Sequence, residues 1–151
     1  MNNEFEINRF LDNVKDARDN FNIVEYPFGL AYLSTTVHPG YTIDIYELTV
    51  MPSAFLLEIT TKTPLTVVPQ DVYTYEAVKN LLYSINELIN NGKFTISKTN
   101  HIEFSLSCTT EQFYSSENPY QILFYGVETI NTYIKDIMKV YCGNKIFYMK
   151  L

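Results

Sequence analysis

Two histidines, two cysteines, one strand-end cluster of serines and an excess of carboxylates are the side chains in this chain that could carry chemistry. His38 stands in a His38-Pro39-Gly40 turn and His101 follows the polar tip Lys98-Thr99-Asn100. Neither belongs to an HxH or HExxH spacing, and a metal site needs three or four convergent ligands. Both therefore read as turn residues, and no metal is expected. Ser105, Ser107 and Cys108 cluster at the end of an alternating segment. No GxSxG elbow accompanies them, and alternation sets both serines opposite Leu106, on a solvent or partner face. Cys108 and Cys142 are too few for a disulfide framework and form no CxxC, so two reduced, semi-buried thiols are expected. Asp12 and Asp16 share the exposed face of a helix, whereas Asp44 and Glu58 fall on neighbouring expected strands that could flank a groove. The glycines Gly29, Gly40, Gly92, Gly126 and Gly143 are isolated, so no loop cradles a phosphate. The residue types yield no catalytic set, and a non-enzymatic protein without a cofactor is expected.

Composition narrows the partners. With 17 acidic against 11 basic residues the net charge is −6, and the lysines and arginines are scattered, which argues against nucleic-acid binding because phosphate neutralisation needs clustered cations. Apolar residues make up 46% of the chain, enough for a real core, and 13 Tyr with 10 Phe favour sheet faces. No apolar run reaches about 18 residues, so no membrane span is expected. The segment MNNEFEINRF has neither a basic start nor an apolar core, so it is not read as a signal peptide and a cytoplasmic location is expected.

The elements that must position these residues follow from periodicity. Ile7, Phe10, Leu11, Val14 and Ala17 predict a helix over residues 4–19, capped by Asn2 or Asn3 with Glu4 and Glu6 in its first turn. Phe21, Ile23 and Val24 start a short extended piece. Strands are expected over 30–37, 41–50 and 54–61, joined by short turns as an antiparallel meander. The apolar phase of the second slips near Ile45-Tyr46, as a bulge would make it. Residues 64–68 form an edge strand or a connection. From Asp71 or Thr74 to Ile89 runs the cleanest helical pattern in the chain, and Asn91-Gly92 is expected to end it. A hairpin spans 93–97 and 101–107, one helical turn surrounds Phe113-Tyr114, and Asn118-Pro119 opens a last helix that Gly143-Asn144 ends. The apolar tail from Lys145 to Leu151 is expected to dock on its own domain or on a second copy. The whole chain reads as one α+β domain: an antiparallel sheet of about five strands with helices packed on it, in the order α-βββ-α-ββ-α.

That order, together with particular residues, resembles the YbjN-like family, whose fold is that of the type III secretion chaperones. The likeness is carried by Val67-Val68-Pro69, Leu81-Leu82, Ile85 and Asn86, by the Asn91-Gly92-Lys93-Phe94 step, by Ile102-Glu103-Phe104, and by Val140 and Gly143. It spans about half the chain, and the family's Arg in the second hairpin strand has no counterpart here. The resemblance implies a chaperone-like or regulatory protein-binding module, often a homodimer. A partner protein or peptide would be captured on outward aromatic residues of the sheet, namely Tyr32, Tyr46 and Phe104. A dimer surface is expected on the last helix around Gly126 and Tyr133. The alternative is an immunity-type inhibitor that holds a basic toxin through its acidic surface.

Overall fold

The structure, a computed structural model, describes residues 4–14, 20–25 and 31–149. In chain order the elements are α1 (Ile7–Asn13), β1 (Asn22–Glu25), β2 (Ala31–Val37), β3 (Tyr46–Pro52), β4 (Leu56–Thr66), α2 (Val72–Leu88), β5 (Lys93–Ile96), β6 (His101–Thr109), α3 (Thr110–Ser115), α4 (Pro119–Leu123) and α5 (Tyr125–Met149). The fold is α+β. Six antiparallel strands lie in the order β1-β2-β3-β4-β6-β5. The strand beyond the five expected is β1, the short extended piece at Ile23 and Val24.

Alternation along the strands sorts their side chains into two faces. Leu33, Leu48, Val50, Leu57, Ile59, Ile102 and Phe104 are fully or almost fully buried on one face, and every described helix contributes to that side. Two apolar clusters fill it. In one, Phe10, Leu11 and Val14 at α1, Phe113 of α3 and Leu123 of α4 pack on β2, β3 and β4. In the other, Val78, Leu82 and Ile85 of α2 and Val127, Ile130, Ile134 and Ile137 of α5 pack on Tyr46, Phe94, Ile102 and Phe104.

α2 forms where its 3.6-residue stripe predicts, and Asp71 caps it by accepting the Thr74 N–H at 3.3 Å. It stops at Leu88 with an extended Ile89, so Asn91-Gly92 is the turn into β5 rather than the helix cap. Gly92 has φ +77°, and a Cβ there would press on the Phe104 ring and lie 2.6 Å from the Ser105 carbonyl oxygen. Thr109 and Gln112 form a reciprocal capping box that starts α3.

Several boundaries differ from expectation. Residues 41–45 are a loop, because the Gly40 N–H donates to the Asp44 carboxylate at 2.7 Å and closes a turn. Ile43 reaches the core from that loop, which accounts for the apparent slip in phase without a bulge. Asp44 therefore does not stand on a strand beside Glu58. β4 runs on through Pro64 to Thr66, with a register shift between Lys62 and Thr66. At the start of the chain Glu4 and Glu6 precede α1, and Glu6 is its cap without a side-chain bond; Asn2, Asn3 and Asp16 lie outside the described residues. The last helix is two, α4 and α5, broken at Phe124, and α5 continues through Gly143 to Met149. The tail residues Lys150 and Leu151 also lie outside the described residues.

Candidate partner-binding surfaces

The described helices share one face, and the opposite, open face of the sheet is covered by none of them. Its residues follow from the pairing register. One row crosses all six strands as Asn22, Ser34, Thr49, Thr60, Ser105 and Lys93. The neighbouring row is Thr36, Glu47, Lys62, Glu103 and Thr95. None of these residues is buried. The outer strands stand about 24 Å apart, five spacings of ~4.8 Å. The first row is a belt of hydroxyls, with Thr60 Oγ1 and Ser105 Oγ 3.5 Å apart. The second alternates in charge, with Lys62 between two carboxylates. Burial raises the Glu103 carboxyl above the usual range, Lys62 and His101 pull it back, and Glu58 adds to the rise. Tyr32 belongs to this face and is half-buried.

Where β4 shifts register, the sheet opens into a cleft of about 330 Å³ whose lining includes Thr36, Glu47, Lys62, Pro64 and His101. The Thr63 hydroxyl ties the irregular segment down, donating to the Ile102 carbonyl at 2.6 Å and accepting the Leu65 N–H at 3.2 Å. His101 Nδ1 lies 2.9 Å from the Thr63 carbonyl oxygen. A carbonyl only accepts, so Nδ1 is the donor in this contact. The cleft thus mixes donors and acceptors at the end of the open face, the side-chain chemistry that suits a polypeptide backbone.

Other groups are placed less favourably for reaction. Burial pushes the Cys108 thiol up, away from its nucleophilic form. His38 is exposed in its turn, far along the chain from any ligand set. Among the described residues no group of three or more His, Cys, Asp or Glu is arranged to hold a metal. No helix among them is long and apolar enough to cross a membrane.

The residues expected to face a partner divide. Tyr46 and Phe104 are 1% and 0% exposed, so both belong to the core and not to an outward surface. Their parity decides this: Tyr46 alternates in step with Leu48 and Val50, and Phe104 with Ile102. The Tyr46 hydroxyl is buried without a hydrogen-bond partner, and its pKa is pushed up to about 12 by burial first and then by Tyr41 and Glu128. The Tyr41 hydroxyl donates to Glu128 at 2.6 Å. Gly126 is buried against its own sheet: a Cβ there would overlap Thr61 Oγ1 and lie 3.1 Å from the Phe104 ring. The close approach anticipated for a second subunit is therefore made within the chain, by α5 on β4 and β6. Tyr133 packs edge-on against Phe94, with ring centres 6.3 Å apart.

A second surface lies at the edge of the sheet. Asn86 of α2 accepts the Phe94 N–H at 2.7 Å and donates to the Phe94 carbonyl at 2.9 Å. Its amide thus satisfies the outward backbone groups of β5 as a neighbouring strand would. Above it, α2 and β5 enclose a groove of about 260 Å³ lined by Tyr75, Lys79, Leu82, Tyr83 and Ile96 among others. Asn86 carried no chemical signal in the sequence, since its partner lies across a turn. Tyr75 counted only toward the apolar stripe of that helix, and Tyr83 and Lys79 had no assigned role. Comparison with protein-family models, with curated proteins and with solved structures finds no match for the chain.

Proposed function

We propose that the protein is a non-enzymatic protein-binding module, chaperone-like or regulatory, that receives an extended segment of a partner protein on the open face of its sheet. One observation carries this reading. A sheet six strands wide is packed by helices on one face, while the other presents two continuous rows of hydroxyl and charged side chains with no buried member. These two rows are too polar to be a missing core, and the apolar residues of the same face, Tyr32, Met51 and Leu56, lie beyond them. The face offers rows of hydrogen-bond donors and acceptors, spaced by the strands at ~4.8 Å, to the polar groups of a partner segment. The likeness to the YbjN-like and type III secretion chaperone-like proteins, a cytoplasmic location and a homodimer belong to the same proposal, without Gly126 as the dimer contact.

Partner capture by the full chain at low and high salt, with and without the paired substitution Thr49→Arg and Thr60→Arg, tests it. Loss of capture by the variant with little effect of salt on the wild type supports the reading. Undiminished capture by the variant removes the open face from consideration. Tight, salt-sensitive capture of a single basic partner would favour the toxin inhibitor instead.

A further inference from the structure

The groove between α2 and β5 lies at the edge of the sheet and meets the open-face rows at Thr95, but its chemistry is different. Its lining is largely apolar and aromatic, from Leu82, Phe94, Ile96, Tyr75 and Tyr83, with Asn86 and Thr95 as its neutral polar members. Among the described residues, Lys79 is the only charged side chain in the lining. Glu76 and Glu87 belong to the same helix but do not line the groove. An apolar trough with one ammonium and no carboxylate is complementary to an apolar ligand that carries a single negative charge.

The backbone beside it limits the shape of that ligand. The Ser97 N–H donates to the His101 carbonyl at 2.8 Å, so Ser97 faces β6. By alternation Phe94 and Ile96 direct their backbone groups away from β6, toward the edge. Asn86 already holds those of Phe94, and after Ile96 the chain turns, with the Asn100 N–H donating to the Ser97 carbonyl at 2.9 Å. Of the described β5 residues, alternation leaves Ile96 to direct its N–H and C=O toward the groove. A strand passing along the edge would meet Asn86 after one residue, whereas the end of a chain needs only one residue of pairing.

We infer that this groove binds the C-terminus of an apolar peptide. The terminal carboxylate pairs with Lys79, the last side chain rests on Leu82 and Ile96 between Tyr75 and Tyr83, and the peptide backbone pairs with Ile96. Asn86 is the stop that sets its depth. This site shares only Thr95 with the open-face rows, so either can fail without the other.

The test is titration of the isotope-labelled full chain, followed by backbone NMR, with the acetylated hexapeptide GSGSVF as free acid, with the same peptide as its C-terminal amide, and with 3-phenylpropionate. The free-acid peptide should shift the resonances of Lys79, Tyr83 and Ile96 and leave those of Thr60 and Ser105 in place. Amidation should weaken binding about tenfold, the loss of one charge-assisted contact. Lys79 is exposed, so Lys79→Ala should fold normally, weaken the acid by a similar factor and leave the amide unchanged. Equal affinity for acid and amide, shifts confined to the open face, or no shift at millimolar peptide would each overturn the proposal. Binding of 3-phenylpropionate as tight as that of the peptide would overturn it in favour of a small organic acid.

Discussion

Replacing Gly126 by alanine is the sharpest probe of how α5 sits on the sheet. The glycine lies in the first turn of α5 with helical neighbours. Alanine has the better helix propensity, by up to about 1 kcal/mol in a helix interior, so propensity alone predicts a gain. The packing predicts the opposite. A Cβ would overlap Thr61 Oγ1 and stand 2.9 Å from Thr61 Cβ and 3.1 Å from Phe104 Cδ1. Rotation of the Thr61 side chain frees the first contact but not the second, which is fixed by the two backbones. The helix must therefore lift, and Val127 and Ile130, 2% and 0% exposed, lift with it. Overpacking of this kind costs about 1–3 kcal/mol, and the net expectation is a loss of that order less the propensity gain. In urea, with a slope of about 1–3 kcal/mol per molar, the midpoint should fall by several tenths of a molar to about 1 M. Thr61→Ala in the same chain should restore part of the loss by removing Oγ1. A Gly126→Ala chain as stable as the wild type would show that α5 does not approach the sheet this closely.

Two further changes test individual hydrogen-bonding groups. Asn86→Ala should destabilise by about 1–3 kcal/mol, because two bonds to the β5 edge are lost; amide exchange at Phe94 should accelerate and self-association at the newly bare edge should rise, and an unchanged Phe94 amide would refute the edge-capping role. Tyr46→Phe should stabilise by about 1–3 kcal/mol by removing a buried hydroxyl that has no partner. The folded phenol titrates at about 12 rather than 10, so wild-type stability falls as pH rises through that window, and the phenylalanine chain should lose this part of its alkaline decline. If the two alkaline profiles coincide, the Tyr46 hydroxyl is not buried as described.

Legibility in the sequence followed the range of the forces involved. α2 with its start at Asp71 or Thr74, the hairpin and the helical turn at Phe113-Tyr114 rest on contacts within a few residues, and pattern alone placed them. The loop over 41–45 read as strand because Ile43 and Ile45 alternate, while the turn that prevents a strand depends on one carboxylate, Asp44, bonding back to Gly40. The last helix was expected to end at Gly143, but a single glycine costs a helix only about 1 kcal/mol and α5 passes through it. For the binding surfaces, alternation separates Tyr46 from Glu47 and Phe104 from Ser105. Which partner faces the helices is decided by the aliphatic residues in step with each, and aromatic character alone pointed the wrong way. The row from Asn22 to Lys93 and the clasp of Asn86 on Phe94 depend on strand order and on contacts across turns, which no local pattern encodes.

The two apolar clusters beneath the sheet bear on how the molecule opens. α2, α5 and the β5–β6 hairpin share one, α1, α3 and α4 with β2 and β3 share the other, and Phe124, at the break between α4 and α5, borders both. Each cluster is a unit able to loosen while the other persists. They are joined by the sheet: β3 carries Leu48 and Val50 in one and Tyr46 in the other, and β4 carries Leu57 and Ile59 in one and leads to Val67 in the other. A segment lying across the open face along the row from Ser34 to Ser105 touches strands of both units at once. Its binding energy would act as a splint, joining two melting steps into one, so the grip of the partner becomes measurable as the cooperativity of the protein that holds it.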